Sequence, residues 1–146
     1  MDLMKSMDIS ASGMSANRKR LEAIASNVAN SQTTQTAEGG PYRRKEVVFA
    51  AEPSRERFSD ILEGTVDENA QAVYATEVIS SNDAPILKYE PSHPDADENG
   101  YVAYPNINVA KEMADMVMAQ RIYEANANAM NISKRMSLKA LEIGRN

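Results

Sequence analysis

Residues 108–143, NVAKEMADMVMAQRIYEANANAMNISKRMSLKALEI, contain neither Gly nor Pro, and their apolar side chains form two stripes. The first stripe consists of Val109, Met113, Met116, Tyr123, Ala127, Met130, Leu138 and Leu141, and the second of Met118, Ile122, Ala125, Ala129, Ile132, Met136, Ala140 and Ile143. Both stripes have helical spacing, and at about 100° per residue they lie roughly 180° apart. Because a surface helix needs only one apolar stripe, we predict that this helix packs on its own chain with one side and on another subunit with the other.

A second long helix is predicted over residues 1–30. Apolar residues recur there every seven positions, at Met7, Met14, Leu21 and Val28, with Leu3 and Ile24 in the same seam and Ser10 and Asn17 interrupting it. Such a narrow seam is typical of a coiled coil. Gly13 costs a helix about 1 kcal/mol relative to Ala. It marks either a close helix contact or a break with a less ordered start of the chain before it.

The middle of the chain, residues 31–107, is predicted to be a linker and a small β-rich insert. Gly39-Gly40-Pro41 stops the first helix. Strands are predicted at 43–51, 71–81 and 86–90, the last two forming a hairpin, with a helical turn near 58–62 and a loop over 91–106. The C-terminal helix of residues 108–146 begins at the N-cap residue Asn108 and ends at Gly144.

The expected fold class is therefore mainly α with a small β insert. The long N- and C-terminal helices pair as a coiled-coil-like domain, and the central region contains a β-hairpin. A helix of about 36 residues is roughly 50 Å long, so these two helices dominate the molecule.

Composition limits the possible functions. The net charge is −5, so bulk attraction to nucleic acid or to an anionic membrane is not expected, and Arg43-Arg44-Lys45 is interpreted as a solvated loop or strand edge. The chain has no Cys, which excludes disulfides, thiolate metal sites and a Cys nucleophile. No stretch is suited to spanning a bilayer. Residues 1–10 lack the apolar core of a secretory signal, so the protein is expected to be cytoplasmic or exported by a route that reads no such signal.

We expect neither catalysis nor a cofactor. The single His, His93, lies between two prolines, and one His without Cys is a poor basis for a metal or acid–base site. Residues 95–100, DADENG, match the opening of an EF-hand loop. Calcium then needs a bidentate Glu at the twelfth position, where this chain has Asn106, so an acidic turn is favoured.

The middle of the C-terminal helix carries a group of residues with polar groups, namely Arg121, Tyr123, Glu124, Asn126, Asn128 and Asn131. Polar residues in a helical seam can fix its register through contacts with a neighbour. The same residues could instead form a solvated flank, and the sequence leaves both interpretations open.

Several segments carry a family resemblance. Residues 12–16, SGMSA, and 25–33, ASNVANSQT, resemble the N-terminal signature of bacterial flagellar axial proteins, the subunits of rod, hook and hook-associated structures. Residues 39–45, 89–106, 121–126 and 140–145 are similar to the rod proteins of that family. The positions that carry the resemblance are Asn27, Asn30, Thr33, Gly40, Pro41, Tyr42, Pro91, His93, Pro94, Asp95, Gly100, Tyr101, Pro105, Asn106, Glu124 and Asn126.

The resemblance implies a structural subunit of the proximal rod, the hollow shaft that crosses the periplasm and transmits torque. It implies export from the cytoplasm through the flagellar type III apparatus without signal cleavage. Its partners would be copies of itself, other rod proteins and components of the membrane ring and rod base, with no nucleic acid and no small-molecule substrate. The residues inferred from periodicity to pack between subunits are Met7, Met14, Leu21, Ile24, Val28, Met113, Met116, Met118, Ile122, Tyr123, Met130, Ile132, Met136, Leu141 and Ile143.

Two other functions are weighed against the rod subunit. The first is a cytoplasmic coiled-coil adaptor or export chaperone, which the β-rich insert disfavours. The second is a small calcium-binding or hydrolytic protein, which Asn106 and the lone His93 disfavour.

Overall fold

The computed structural model describes residues 3–53 and 71–144. In chain order the elements are α1 (Leu3–Ala29), β1 (Lys45–Pro53), β2 (Gln71–Ser80), β3 (Ile86–Tyr89), β4 (Tyr101–Tyr104) and α2 (Val109–Gly144). The predicted fold class, two long terminal helices around a small β-containing insert, is confirmed. The predicted helical turn near 58–62 lies outside the described residues.

Helix α2 begins and ends where the sequence signals predict. The side-chain oxygen of Asn108 accepts a hydrogen bond from the backbone N–H of Lys111 at 3.1 Å, so Asn108 is the N-cap of α2. Helix α2 extends to Gly144. Helix α1 runs unbroken through Gly13, which removes the alternative of a break at that glycine.

The helices pack against each other in antiparallel orientation. Ser6 near the start of α1 contacts Ser133 near the end of α2, with 3.3 Å between their hydroxyl oxygens. Asn27 near the end of α1 bonds Glu112 in the first turn of α2 at 3.0 Å. The pairing predicted for the terminal helices is therefore present within one chain.

The strands form two separate two-stranded antiparallel sheets. Strand β1 pairs with β2, with a bulge between Val48 and Phe49, and β3 pairs with β4. The predicted hairpin between 71–81 and 86–90 is wrong, because Asn82–Pro85 joins two sheets instead of closing one. The local pattern could not reveal this, since the partner of β3 lies in the segment predicted as a loop.

The β1–β2 sheet lies along α1. The backbone N–H of Val73 donates to the hydroxyl of Ser12 at 3.2 Å, and the ammonium of Lys19 donates to the carbonyl of Ala75 at 3.3 Å. The β1–β2 sheet therefore borders the helix pair along its side.

Little apolar surface is buried among the residues that the structure describes. The buried apolar residues of the described ranges are Ala16, Ala23, Ile24, Ala72, Val102 and Ala119, four of which are alanines. Many larger apolar side chains on α2 and on the strands remain exposed. Neither described helix is long and apolar enough to cross a membrane. Hydrophobic stabilisation scales with the apolar area removed from water, so the isolated chain gains little from it.

Candidate functional site

One face of α2 is covered by no other described residue of the chain. It carries the second predicted stripe, whose large members Met118, Ile122, Ile132, Met136 and Ile143 are all exposed. Ile143 at the end of the stripe is 76% exposed. A continuous apolar face of this kind is typical of an interaction surface. We call the side chains of Met118, Ile122, Ile132, Met136 and Ile143 the open face.

The face of α2 that touches α1 is less apolar than the sequence suggested. It follows Glu112, Ala119, Asn126 and Ser133, which recur every seven residues and are buried or half-buried. This line lies roughly 80° around the helix from the centre of the first predicted stripe. The first stripe therefore makes only part of the contact. The small and polar side chains of this line allow the two backbones to approach more closely than large apolar side chains would.

The predicted packing residues divide by burial. Ile24 is buried, Met7, Met14, Leu21, Val28, Met116 and Met130 are half-buried, and Met113, Met118, Ile122, Tyr123, Ile132, Met136, Leu141 and Ile143 are exposed. On α1 the most buried positions are Ser10, Ala16, Ala23, Ile24 and Asn27. The heptad seam of α1 therefore lies at the edge of the buried side, with Ile24 and the interrupting Ser10 buried and the other predicted packing residues of α1 half-buried.

Gly13 marks a close contact between the helices. A Cβ at this position would lie 2.9 Å from the side-chain nitrogen of Asn126, well inside van der Waals distance. Asn126 is half-buried, whereas Glu124, Asn128 and Asn131 are exposed. Among the polar residues in the middle of α2, Asn126 thus contacts the neighbouring helix, and these other three form a solvated flank.

A buried polar cluster joins the helices to the insert. We call Asn27, Tyr42, Arg44, Glu112 and the backbone of Lys45 the polar junction. Asn27 is fully buried. Its side-chain oxygen accepts from the backbone N–H of Lys45 at 2.8 Å and from the hydroxyl of Tyr42 at 3.1 Å. Its side-chain nitrogen donates to the carbonyl of Lys45 at 2.9 Å and to Glu112 at 3.0 Å.

An ion pair completes the polar junction. Glu112 is 1% exposed, and its other carboxylate oxygen accepts from Nε of Arg44 at 2.8 Å. Arg44 also pairs with Glu46. Burial alone lowers the pKa of Arg44, but the hydrogen bonds and negative charges of Glu112 and Glu46 outweigh it and raise the pKa above its ordinary value. The interpretation of Arg44 as a solvated residue is therefore wrong, whereas Arg43 and Lys45 are exposed.

The N-terminal signature residues close the linker onto the end of α1. The hydroxyls of Tyr42 and Ser26 lie 2.9 Å apart, and the backbone N–H of Tyr42 donates to the carbonyl of Thr33. Asn30 bonds the carbonyl of Ser26 through its amide nitrogen and accepts from the hydroxyl of Thr33. Gly40 has a φ of +76°, which a glycine adopts without strain, and Pro41 follows it half-buried.

The second signature segment forms a compact loop between β3 and β4. The carboxylate of Asp97 accepts from the backbone N–H groups of Asn99 and Tyr101 at 2.9 and 2.8 Å. Gly100 has a φ of +80°, and a Cβ there would lie 2.9 Å from the ring of Tyr89. The ring of Tyr89 in turn meets that of Tyr101 edge to face at 5.4 Å. These contacts explain why the loop needs glycine at its tight turn.

The acidic and histidine side chains of this loop make local bonds. Asp95 accepts from the hydroxyl of Thr34 at 2.6 Å, and Nδ1 of His93 accepts from the backbone N–H of Asp95 at 3.1 Å. Within residues 3–53 and 71–144, no group of three His, Asp or Glu side chains is placed to hold a metal ion. The Thr34–Asp95 bond links the two signature segments. Among the prolines of this region, Pro91 and Pro94 are exposed, and Pro105 is buried beside the exposed Asn106.

Tyr104 closes the same region through Glu90. Its hydroxyl donates to the Glu90 carboxylate at 3.0 Å, and its ring lies 4.5 Å from the ammonium of Lys88. The hydrogen bond to Glu90, followed by partial burial and the Glu90 charge, raises the pKa of Tyr104.

Sequence reasoning missed three residues of the polar junction and its surroundings: Glu112, Arg44 and Ser26. A search for apolar periodicity passes over Glu112, although it begins the seven-residue series that continues through Ala119, Asn126 and Ser133. A search for small and polar residues at heptad spacing would have found this series. The pairing of Arg44 with Glu112 joins positions 68 residues apart, and no local pattern indicates it.

Two models of known protein families match the segments of the chain that form the helix pair. Residues 7–34, which form most of α1 and the start of the linker, match the family model described as "Flagella basal body rod protein". Residues 98–143, which include β4 and α2, match the model described as "Flagellar basal body rod FlgEFG protein C-terminal". The two matches thus cover most of both helices and include Asn27 and Glu112 of the polar junction. They define the class of the chain as that of flagellar rod proteins.

Individual relatives narrow the class. The flagellar basal-body rod protein FlgC of Bacillus subtilis is 41% identical, over 99% of this chain and 100% of its own length. The FlgC proteins of Borreliella burgdorferi and Salmonella typhimurium are 37% and 38% identical, over 98% and 99% of both chains respectively. The chain belongs to the FlgC family of flagellar basal-body rod proteins, and it is a structural subunit of that rod.

Proposed function

We propose that this subunit occupies the proximal part of the rod and helps to transmit torque across the periplasm. The observation that supports the proposal is the open face of α2, a line of exposed apolar side chains about 90° around the helix from the residues that pack on α1. Burial of such a face against neighbouring subunits would supply the apolar contacts that the single chain lacks. The partners would be further copies of this chain, other rod proteins and components of the membrane ring and rod base.

The end of the helix pair that contains the start of α1 and the end of α2 would become fully ordered only on assembly. Burial is concentrated near the polar junction, at Ile24, Asn27 and Glu112, and becomes sparse toward Met4 and Ile143. Helices gain most of their stability from tertiary packing. Loosely held ends would also suit passage through the flagellar type III export apparatus from the cytoplasm, without signal cleavage.

The division of the chain follows from the same reasoning. We propose residues 1–30 and 108–146 as the terminal-helix domain, and residues 31–107 as a linker and insert that faces other components of the basal body. The polar junction stabilises the geometry between these parts. We propose a mechanical role without catalysis, because the side chains of the polar junction are occupied in bonds with each other and with the backbone.

The direct test is a clean deletion of the gene, with a swimming assay and electron microscopy of isolated basal bodies. Loss of swimming, with membrane rings present and no rod beyond them, is the expected result. Swimming cells with complete rods would overturn the proposal and leave the coiled-coil adaptor or export chaperone as the better account.

A further inference from the structure

Four parts of the chain meet at the polar junction, and one amide connects all of them. The carboxamide of Asn27 in α1 bonds both the N–H and the C=O of Lys45, the first residue of β1, as a neighbouring strand would. The same nitrogen donates to Glu112 of α2, and the oxygen accepts from Tyr42 of the linker. All four hydrogen-bonding positions of the amide are therefore used.

The contact between α2 and the sheet depends on this cluster. In the described ranges, α2 does not pack directly on β1 or β2, whereas α1 packs on both. Arg44 immediately precedes β1, and its bond to Glu112 reaches across to the first turn of α2. Apolar contacts are non-directional, but charge-assisted hydrogen bonds have a defined geometry. The sheet is thus held along α1, and the polar bonds of the junction form its direct described link to α2.

We infer that the polar junction is a rigid elbow in which Asn27 and Glu112 act as positioning residues for the β1–β2 sheet. The mechanical meaning of the elbow rests on the proposed function: in a rotating rod, load on the helix pair passes to the insert without bending at residues 30–45. The fixed angle itself is a property of the single chain and is measured without a rod.

The angle between the β1–β2 sheet and α2 can be followed through the distance between one label on each of them. The chain contains no Cys, so Glu77→Cys in β2 and Ala114→Cys in α2, both at exposed positions, give one defined pair of spin labels in the full-length protein. Pulsed electron paramagnetic resonance then reports the distribution of distances between the labels. A rigid elbow gives one narrow peak.

The decisive variant replaces the ion pair by apolar side chains, Arg44→Met with Glu112→Leu. Such replacements often preserve stability while removing directional bonds. We expect the variant to fold with a lowered unfolding midpoint, because the amide of Asn27 also loses its bond to Glu112, and we expect the narrow peak to be lost. The matched control is Arg20→Met with Asp115→Leu, a pair that also joins α1 to α2, at 3.6 Å, and it should keep the peak. A narrow peak in the junction variant would overturn the inference.

A second set of variants decides the question if the apolar pair does not fold. Asn27→Asp places a carboxylate where the amide nitrogen lies 3.0 Å from Glu112, and like charges at that distance repel. Adding Glu112→Gln supplies a donor in place of the second carboxylate. We expect the single variant to lose the narrow peak and the double variant to regain most of it. Equal distributions in the two variants would contradict a positioning role.

The result is separable from the proposed function. A deletion strain that still builds a complete rod would refute the rod role and leave the measured distances unchanged. Conversely, a flexible junction in a protein that is required for the rod would refute only the elbow.

Discussion

The side chain of Asn126 in α2 occupies the space that a Cβ on Gly13 in α1 would need, with 2.9 Å between that Cβ and the amide nitrogen. The missing side chain of one helix thus accommodates the polar side chain of the other. This relationship explains why a glycine lies within a helix of 27 residues, where it would otherwise be unfavourable.

The effect of Gly13→Ala should depend on residue 126. In the wild-type chain the new methyl group meets Asn126, so the gain in helix propensity is offset by displacement of that side chain. In an Asn126→Ala background the same change should stabilise the protein by up to about 1 kcal/mol. Urea unfolding followed by circular dichroism measures both values. Gly144→Ala, where a Cβ meets nothing within 4 Å, is the control, and equal effects of Gly13→Ala in both backgrounds would contradict the close contact.

Glu112→Ala should destabilise the protein through the donors that it leaves behind. Asn27 would lose a partner in a fully buried site, and an unsatisfied buried polar group costs about 1–3 kcal/mol. Arg44 retains some access to water, which limits its share of the loss. The matched variant is Glu22→Ala, which removes an exposed partner of Arg18 and should cost less than about 0.5 kcal/mol. Similar losses in chemical unfolding of the two variants would contradict a stabilising role for the junction.

Alkaline pH should weaken the contact between Tyr104 and Glu90. The pKa of Tyr104 is raised from its usual 10.0, so the protonated phenol is favoured in the folded state. Its contribution to stability is complete below pH 10.0 and is lost as the pH rises through the raised pKa. Tyrosinate absorbance should include a late transition from Tyr104, and Glu90→Gln should move that transition to lower pH. An unchanged titration curve for Glu90→Gln would count against this bond.

The isolated subunit should be ordered mainly around the polar junction. Amide hydrogens of α1 and α2 near Asn27 and Glu112 should exchange slowly, and those near residues 4–10 and 130–143 should exchange fast, because few apolar side chains are buried at that end. Hydrogen exchange with mass spectrometry resolves the two ends. A dilute monomer that is fully helical and melts cooperatively at micromolar concentration would contradict ordering on assembly.

The elements differ in how far the sequence alone predicts them. Both long helices were predictable, because the N-cap Asn108 and the terminal Gly144 mark the ends of α2 and apolar spacing marks its body. The exposed stripe of α2 was also predictable, since an apolar pattern on two sides of one helix exceeds what a single chain can cover.

The pairing of the strands was not predictable from local pattern. The segment Asn82–Pro85 has the composition of a turn, yet β2 pairs with β1, which precedes it in the chain, and β3 pairs with β4, which follows it. The β1–β2 sheet contacts α1 through Lys19 and Ala75, and the loop from Pro91 to Gly100 joins β3 to β4. Local turn chemistry constrains only the connection itself.

The polar junction was not predicted from the sequence, for a related reason. Glu112 and Arg44 are ordinary charged residues by type, and charged residues are usually exposed. Their burial follows from the approach of four chain segments, held together by the amide of Asn27. The family resemblance did include Asn27 and Tyr42, but it gave no indication of what these side chains contact.

The most direct test of the account is whether the open face of α2 is needed to build the rod. A deletion strain is complemented with Ile132→Glu, which places a charge on the open face, or with Asn131→Glu, an exposed neighbour about 100° around the helix. Basal bodies are then imaged by electron microscopy, after hydrogen exchange has established that both purified subunits match wild type near the junction. We expect rods with Asn131→Glu and none with Ile132→Glu. Complete rods built from the Ile132→Glu subunit would contradict the account.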